Sequence, residues 1–583
     1  MNATRSARRL GAVVLASAAA AALLGAGPCD PWVVPPAALT PPPWPEWVLR
    51  PWVWENAGTT ESALALVDGY LDRDVPTGAV IIDAPWATAE STFEFDPSLY
   101  PDPQTMVDEF HARGVKVFVW STSMINTDAP NFDFAVENEY VIQDLFGRPA
   151  VVPWWRGEGA LLDYTNPDAL AWWHAMMDGV LDLGIDGWKV DGTDPYILFV
   201  ELFGLGAYGH AGHITRETYS DLVYRDFFEY TRARRGPATA ITARPFDSLF
   251  GLIGLFFAPR DVNFAGWVGD QDNTFPGLRN ALTNMLTSAD AGYVNFGSDI
   301  GGFRSPDAPS KEVFLRWAQL GAFSPIMENG GGGEHRPWAY DAETVDIYRR
   351  FARIHEELAP YLYGQGAAAY PAGLGVMRRA EGAAADEKWQ FLLGSDLFVA
   401  ALHEPGGARV VRFPEGADWV DLWDGTPHAG ASRVPYVAPL DRYPVFARRG
   451  AMIPLRAGSD ALLPGGEALA GGLTVLAYPT DGVGAADVYE EKGNGVQFTY
   501  EMDGARLTLT ASAHDEPIVW VLQGVGAPAS VRDSYGAAIA PAATRAAFDA
   551  SERGWYAEPG GARLWVKGGS AAKGLHVEVR FAS

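Results

Sequence analysis

The sequence predicts an α/β fold, a (β/α)8 TIM barrel followed by C-terminal all-β sandwich domains, and three observations carry that prediction. Between about residues 46 and 365, short β-like runs alternate with amphipathic helical stretches, the pattern of strand–helix units wound around a parallel sheet. No glycine-rich phosphate fingerprint follows the first strand, which counts against an open doubly wound sheet. From about residue 370 the texture changes to short alternating runs separated by Gly, Pro and Asp, as in β-sandwiches.

Taken in order, residues 1–27 read as an export signal. Arg5, Arg8 and Arg9 form a positive head, Leu10 to Leu24 is an apolar run without charge, and Gly25, Ala26 and Gly27 follow where a signal peptidase cuts. The run is short for a bilayer span, which needs roughly 20 residues. The expected location is periplasmic or extracellular, with a lipid anchor at Cys29 as the alternative reading. Residues 28–45 contain Pro35-Pro36 and Pro41-Pro42-Pro43 and read as an extended spacer.

Residues 46–367 are expected to form the barrel. Its strands are placed at Val48–Val53, Ala79–Asp83, Val115–Trp120, Gly187–Asp191, Ala238–Ala243, Asp261–Trp267, Gly292–Phe296 and near Ala322–Met327. Helices are expected at Thr105–Arg113, Asp168–Leu183, Ser220–Arg235 and Lys311–Leu320. Residues 368–455 and 456–583 are expected to be a proximal and a distal β-sandwich, with strands such as Ala408–Phe413, Leu473–Tyr478, Ala505–Ala511 and Ile518–Leu522.

Composition narrows the function. Acidic residues number 72 against 44 basic, a net charge of −28. A field of that sign repels phosphate backbones and anionic membranes, so nucleic acid is excluded as a partner and neutral ligands are favoured. Aromatic residues make up 12% of the chain, and their faces suit a carbohydrate substrate. The single cysteine rules out disulfides within the chain and zinc sites built of cysteine. No metal or cofactor is expected.

In a TIM barrel the chemistry sits at the C-terminal strand ends. Reading those ends gives Asp83, Trp120, Asp191, Arg244, Asp270 and Asp299, with His335 after the eighth strand. Such carboxylates serve either a divalent metal or acid/base and nucleophilic work on a glycosidic bond. Metal sites tend to gather histidines or acids close in sequence. Here the acids are dispersed one per strand and accompanied by tryptophan, which suits sugar cleavage by a pair of carboxylates. Taken alone, Asp191 fits a helix cap as well as a nucleophile, and Asp272 competes with Asp270.

Several runs then carry a family resemblance. Trp188-Lys189-Val190-Asp191, Trp267-Val268-Gly269-Asp270 and Gly297-Ser298-Asp299-Ile300-Gly301-Gly302-Phe303 resemble, in order, the nucleophile strand, the acid/base segment and the Asp-Ile-Gly-Gly-Phe run of glycoside hydrolase family 31. Leu162-Asp163-Tyr164-Thr165-Asn166-Pro167 and Trp419-Val420-Asp421-Leu422-Trp423 are similar to further landmarks of that family, whose members are retaining α-glycosidases.

The resemblance implies that Asp191 is the nucleophile and Asp270 the acid/base. It implies sugar contacts from Asp83 and Asp299, a partner for Asp191 in Arg244, and pocket walls from Trp120, Trp267 and Phe303. Lys189, two residues before the nucleophile, resembles the α-xylosidase branch, so the substrate reading leans to an α-xyloside or α-glucoside. After the eighth strand the family's Arg-x-His signature is replaced by Met327-Glu328-Asn329, four glycines and Glu334-His335. His335 or Glu328 is expected to take over its sugar contact. Two rival readings are an α-galactosidase-type hexosidase on the same barrel and a non-catalytic carbohydrate-binding surface protein.

Overall fold

The computed structural model describes residues 34–246, 258–385, 387–491 and 495–582. The expected export signal, Cys29 and the first part of the spacer lie outside these residues.

Eight strands form the barrel: β1 (Trp52–Glu55), β2 (Ala79–Ile82), β3 (Lys116–Ser121), β4 (Gly187–Val190), β5 (Ala240–Ala243), β6 (Ala265–Trp267), β7 (Phe296–Gly297) and β8 (Glu328–Asn329). Each pairs in parallel with the next from β1 to β7, and β8 returns to pair with β1. A parallel bridge between Asp299 and Glu328 links β7's end to β8 and closes the ring. Strands covered on both faces need apolar residues throughout, and β2 (Ala-Val-Ile-Ile) is buried at every position. Gly187 has to be glycine for a packing reason, since a Cβ there would lie 1.9 Å from the Ala240 carbonyl on the neighbouring strand.

The helices that cover the barrel are α1 (Thr60–Leu71), α2 (Pro103–Ala112), α3 (Pro167–Leu181), α4 (Arg216–Arg235), α5 (Phe275–Asp290), α6 (Lys311–Ala322) and α7 (Ala342–Glu357). Each starts on a Thr, Asp, Asn or Ser whose side chain accepts a backbone N–H of the first turn, an arrangement worth about 1 kcal/mol per helix. Two insertions enlarge the mouth. Between β3 and α3 lies a small antiparallel sheet of Met124–Asn126, Val151–Trp154 and Gly157–Leu161. Between β4 and α4 a short helix spans Ile197–Phe203.

The barrel strands depart from expectation at their ends. Pro51 has no N–H for a ladder, so Val48–Val53 divides into a 3-10 turn, Glu46–Leu49, and a strand beginning at Trp52. The last strand is not Ala322–Met327. α6 runs through Ala322, and pairing begins only at Glu328.

Beyond a helix at Ala359–Ala369 the chain forms a six-stranded sheet with Met377–Arg379 at one edge, and a ribbon of Ala408–Arg412 with Arg433–Val437. Two five-stranded sheets follow. Met452–Leu455, placed by the sequence at the end of the proximal domain, pairs with Leu473–Ala477 in the first of them. The described part of the spacer begins against this distal region and ends on the barrel, where Pro43 accepts from Arg232 and Trp44 stacks on Phe264. The Val34 N–H donates to the Lys573 carbonyl and the Val34 carbonyl accepts from the Ala513 N–H.

Candidate active site

The site follows from the alternation of side chains along the barrel strands. On β4, Trp188 points outward, packs against Phe93 and Phe227, and donates its indole N–H to Thr231. Lys189 and Asp191, two residues apart, therefore face the barrel interior together. Both line a cavity of about 460 Å³ at the C-terminal strand ends, with Asp83 and Ala84 after β2, Trp120 from β3, Arg244 after β5, Trp267 from β6 and Asp270 after it, and Asp299 and Phe303 after β7.

One guanidinium joins the two acids singled out as catalytic. Arg244 donates from Nη2 to Asp191 Oδ1 at 2.7 Å and from Nη1 to Asp270 Oδ1 at 2.9 Å. Asp191 also accepts from the Gly192 N–H (2.9 Å) and from Trp120 Nε1 (3.2 Å). Its carboxylate is thus fixed by three donors, while Asp270 is held more loosely and is more open to solvent, 31% against 13% of side-chain area. Charge-assisted bonds of this kind are short and fix the direction in which a carboxylate oxygen points.

A second cluster lies deeper. Lys189 Nζ donates to Asp83 Oδ2 at 2.9 Å, lies 3.9 Å from Glu328 Oε1, and stands over the Trp54 and Trp267 rings at 3.9 and 4.8 Å. Burial works against its charge, but Asp83, Glu328 and Asp299 together hold its pKa above the usual lysine range. Burial and the neighbouring Glu328 push the Asp299 carboxyl well above the usual carboxylate range. Burial likewise pushes Glu328 up to about 7, against the pull of Lys189. Asp299 Oδ1 and both oxygens of Glu328 have no hydrogen bond of ordinary geometry among the described residues. In a folded protein such atoms call for an explanation, and Asp299 is among the residues that line the cavity.

The structure thus brings Asp83, Trp120, Lys189, Asp191, Arg244, Trp267, Asp270, Asp299 and Phe303 to one cavity. It does not bring His335 there. That imidazole lies between two carbonyl oxygens, Gly333 O (2.9 Å) and Gly302 O (2.8 Å), and its N–H donates to one of them, so it is turned toward the glycine loop and the loop after β7 rather than toward the cavity. Glu328 stands behind Lys189 rather than on the wall. Six lining residues escaped the sequence reading: Trp54, Asn56, Ala84, Trp155, Arg156 and Tyr196. Trp54 and Ala84 were within reach of the strand-end rule, since one belongs to β1 and the other follows β2. The other four come from the turn after β1 and the two insertions, whose course no periodicity announces. Among the described residues no group of three or more His, Cys, Asp or Glu is placed to hold a metal ion.

The family model described as "Glycosyl hydrolases family 31 TIM-barrel domain" matches residues 41–365, and "Glycosyl hydrolase family 31 C-terminal domain" matches 376–453. A 1,3-alpha-isomaltosidase of Kribbella flavida is 28% identical over 69% of this chain and 60% of its own length. An alpha-xylosidase of Emericella nidulans is 25% identical over 70% of this chain and 53% of its own. The chain thus spans between half and two thirds of the length of these curated relatives. A cycloalternan-forming enzyme from Listeria monocytogenes, in complex with a pentasaccharide substrate, superposes with a TM-score of 0.80 at 23% identity, covering 94% of this chain and 55% of that one, which shows the shared fold.

Proposed function

The chain belongs to glycosyl hydrolase family 31, and from that premise we propose that it is an exo-acting retaining α-glycosidase working by double displacement. The observation that carries the proposal is the Arg244 guanidinium shared by Asp191 and Asp270. Acids that meet across one guanidinium suit the separation of about 5–5.5 Å found in retaining enzymes, rather than the roughly 6.5–9.5 Å that leaves room for a water in inverting ones.

In the first step an Asp191 oxygen attacks the anomeric carbon while the bond to the leaving oxygen breaks and Asp270 gives that oxygen its proton. In the second, Asp270 takes a proton from water. The hydroxide equivalent displaces Asp191, and the sugar leaves with its α-configuration restored. The larger exposure of Asp270 fits the residue that must meet both leaving group and water. Asp83 and Asp299 accept hydrogen bonds from sugar hydroxyls on the opposite side, and Trp54, Trp267 and Phe303 exclude water.

The sugar is proposed to be a neutral α-glucoside. Lys189 was the ground for a lean toward xyloside, but its ammonium is committed to Asp83 and to the acids around it. Lys189 is paired with Asp83, Arg244 with Asp191 and Asp270, and Arg156 with Glu90, so each of these three cations is already matched by a carboxylate, which disfavours an anionic sugar. Proton NMR of the first-formed product from aryl α-glucoside, α-xyloside and α-galactoside tests the reading. An α-anomer released first supports retention, and fastest release from the glucoside supports the sugar. A β-anomer first, or a chain that binds sugars without cleaving any, contradicts it.

A further inference from the structure

Against the catalytic cavity stands a second hollow of equal volume, about 460 Å³. It is built from the loop after β2, Ala84 to Ser91, and from Trp120, Ser121, Thr122, Asn126 and Asp128 at and beyond the end of β3. Ala84, Trp120 and Arg156 line both hollows, so the two meet along these three side chains. We propose that the second hollow is a further sugar subsite, occupied by the ring next to the one whose anomeric bond is cut, so that the enzyme releases a disaccharide from the non-reducing end. The proposal rests on the α-glycosidase reading and deepens it.

Its position assigns it to the retained side of the substrate. The leaving oxygen receives its proton from Asp270, after β6, whereas the second hollow opens over β2 and β3. In the strand order these lie three and four places from β6 in a ring of eight, which is across the barrel mouth. A sugar held by Asp83 at its far end and by Asp191 at its anomeric carbon therefore points its remaining hydroxyls toward Ala84 and Trp120, where the second hollow begins.

The wall is rigid and chemically suited to a second ring. Trp120 is locked at both ends, its indole N–H donating to Asp191 and its carbonyl accepting from Trp86 Nε1 at 2.7 Å. Arg156 is ion-paired with Glu90 and stands 5.8 Å from the Trp120 ring centroid. Aromatic faces beside a fixed charged pair are a combination that grips a neutral, hydroxyl-rich ring, and a preformed wall spares the ordering cost of binding. The chemistry is unchanged by the added ring. The C1–O bond to the leaving group breaks, water supplies hydroxyl to C1, and its other proton ends on the leaving oxygen.

The test compares 4-nitrophenyl α-glucoside with the 4-nitrophenyl α-glycosides of α-1,3-, α-1,4- and α-1,6-linked glucosylglucose, with products separated by chromatography. The expected result is a kcat/KM at least about tenfold higher for one disaccharide glycoside than for the monosaccharide, with free disaccharide as first product. Ala89→Trp, which puts bulk into the second hollow, is expected to cut that ratio about tenfold. Glu90→Gln serves the same purpose if the larger side chain impairs folding. Glucose as the sole product, or a ratio near one in the parent, overturns the subsite and leaves the glycosidase reading standing. Cleavage of none of the four overturns both.

Discussion

Arg244 does at the scale of one residue what the whole barrel arranges: it fixes two carboxylates against each other. Arg244→Lys keeps the charge but loses the planar fork, since an ammonium is a point donor. Turnover is expected to fall at least about a hundredfold while the melting temperature changes little, and parent-like kcat would contradict the bridging role. Lys189 is a different case. Its removal leaves Asp83, Asp299 and Glu328 together without a cation, so Lys189→Met is expected to cost about 3–5 kcal/mol in denaturant unfolding. A loss under about 1 kcal/mol would show the cluster to be neutral already.

Glu328 supplies a pH signature. Burial lifts its pKa from 4.5 to about 7, so the folded state holds the proton more tightly than the unfolded one. Its stabilising contribution is complete below pH 4.5 and is lost as the pH rises through about 7. Glu328→Gln is neutral throughout, so its melting temperature relative to the parent should climb between those two values, whereas a constant difference would contradict the shift. That Asp83, Asp191, Asp270 and Asp299 gather at one cavity was legible in sequence because each follows closely on a barrel strand, whereas the roles expected of them came from the family resemblance. His335 was misplaced because sequence carries the residue type but not the carbonyls between which its ring lies.

Among the elements, the loop after β7 shows why a glycine pair belongs to the site. Gly302 has φ +84°, and a Cβ there would stand 2.8 Å from the Asp272 carbonyl group. Gly302→Ala therefore combines a left-handed backbone cost of about 1–2 kcal/mol with a clash against the segment that carries Asp270. Both melting temperature and kcat are expected to fall, and a variant matching the parent in both would contradict this account. Of the seven helices that cover the barrel, four were expected (α2, α3, α4 and α6), and α4 was begun at Ser220 although its Thr215 cap starts it at Arg216. Strands were legible as to number and order but not extent. β7 and β8 are two residues long, too short for alternation to register, and only closure of the ring defines them. The insertions that supply Trp155, Arg156 and Tyr196 took their shape from tertiary contacts with the barrel mouth.

Over the whole molecule, the largest apolar core extends from the barrel into both β-domains, taking in residues from Trp44 to Trp565, beside two smaller cores inside the β-domains. Arg316 of α6 is 1% exposed and donates to the carbonyls of Ala438, Pro439 and Arg442 across the interface. Trp423 packs on Phe351 and beneath the Arg350 guanidinium. Calorimetry should accordingly record one cooperative transition, and Arg316→Met should lower it, because buried carbonyls lose a charged donor. Two well-separated transitions would contradict a shared core. Composition legibly pointed to a neutral ligand, but the contact between barrel and β-domains was hidden from it.

The central claim is that Asp191 forms the covalent glycosyl-enzyme. Incubation with a 5-fluoro-α-glucosyl fluoride, then proteolysis and mass spectrometry, tests it most directly. The account predicts inactivation with one sugar carried on the peptide containing Asp191 and none in Asp191→Ala. A label on any other carboxylate, or an active enzyme that never acquires one, would contradict it.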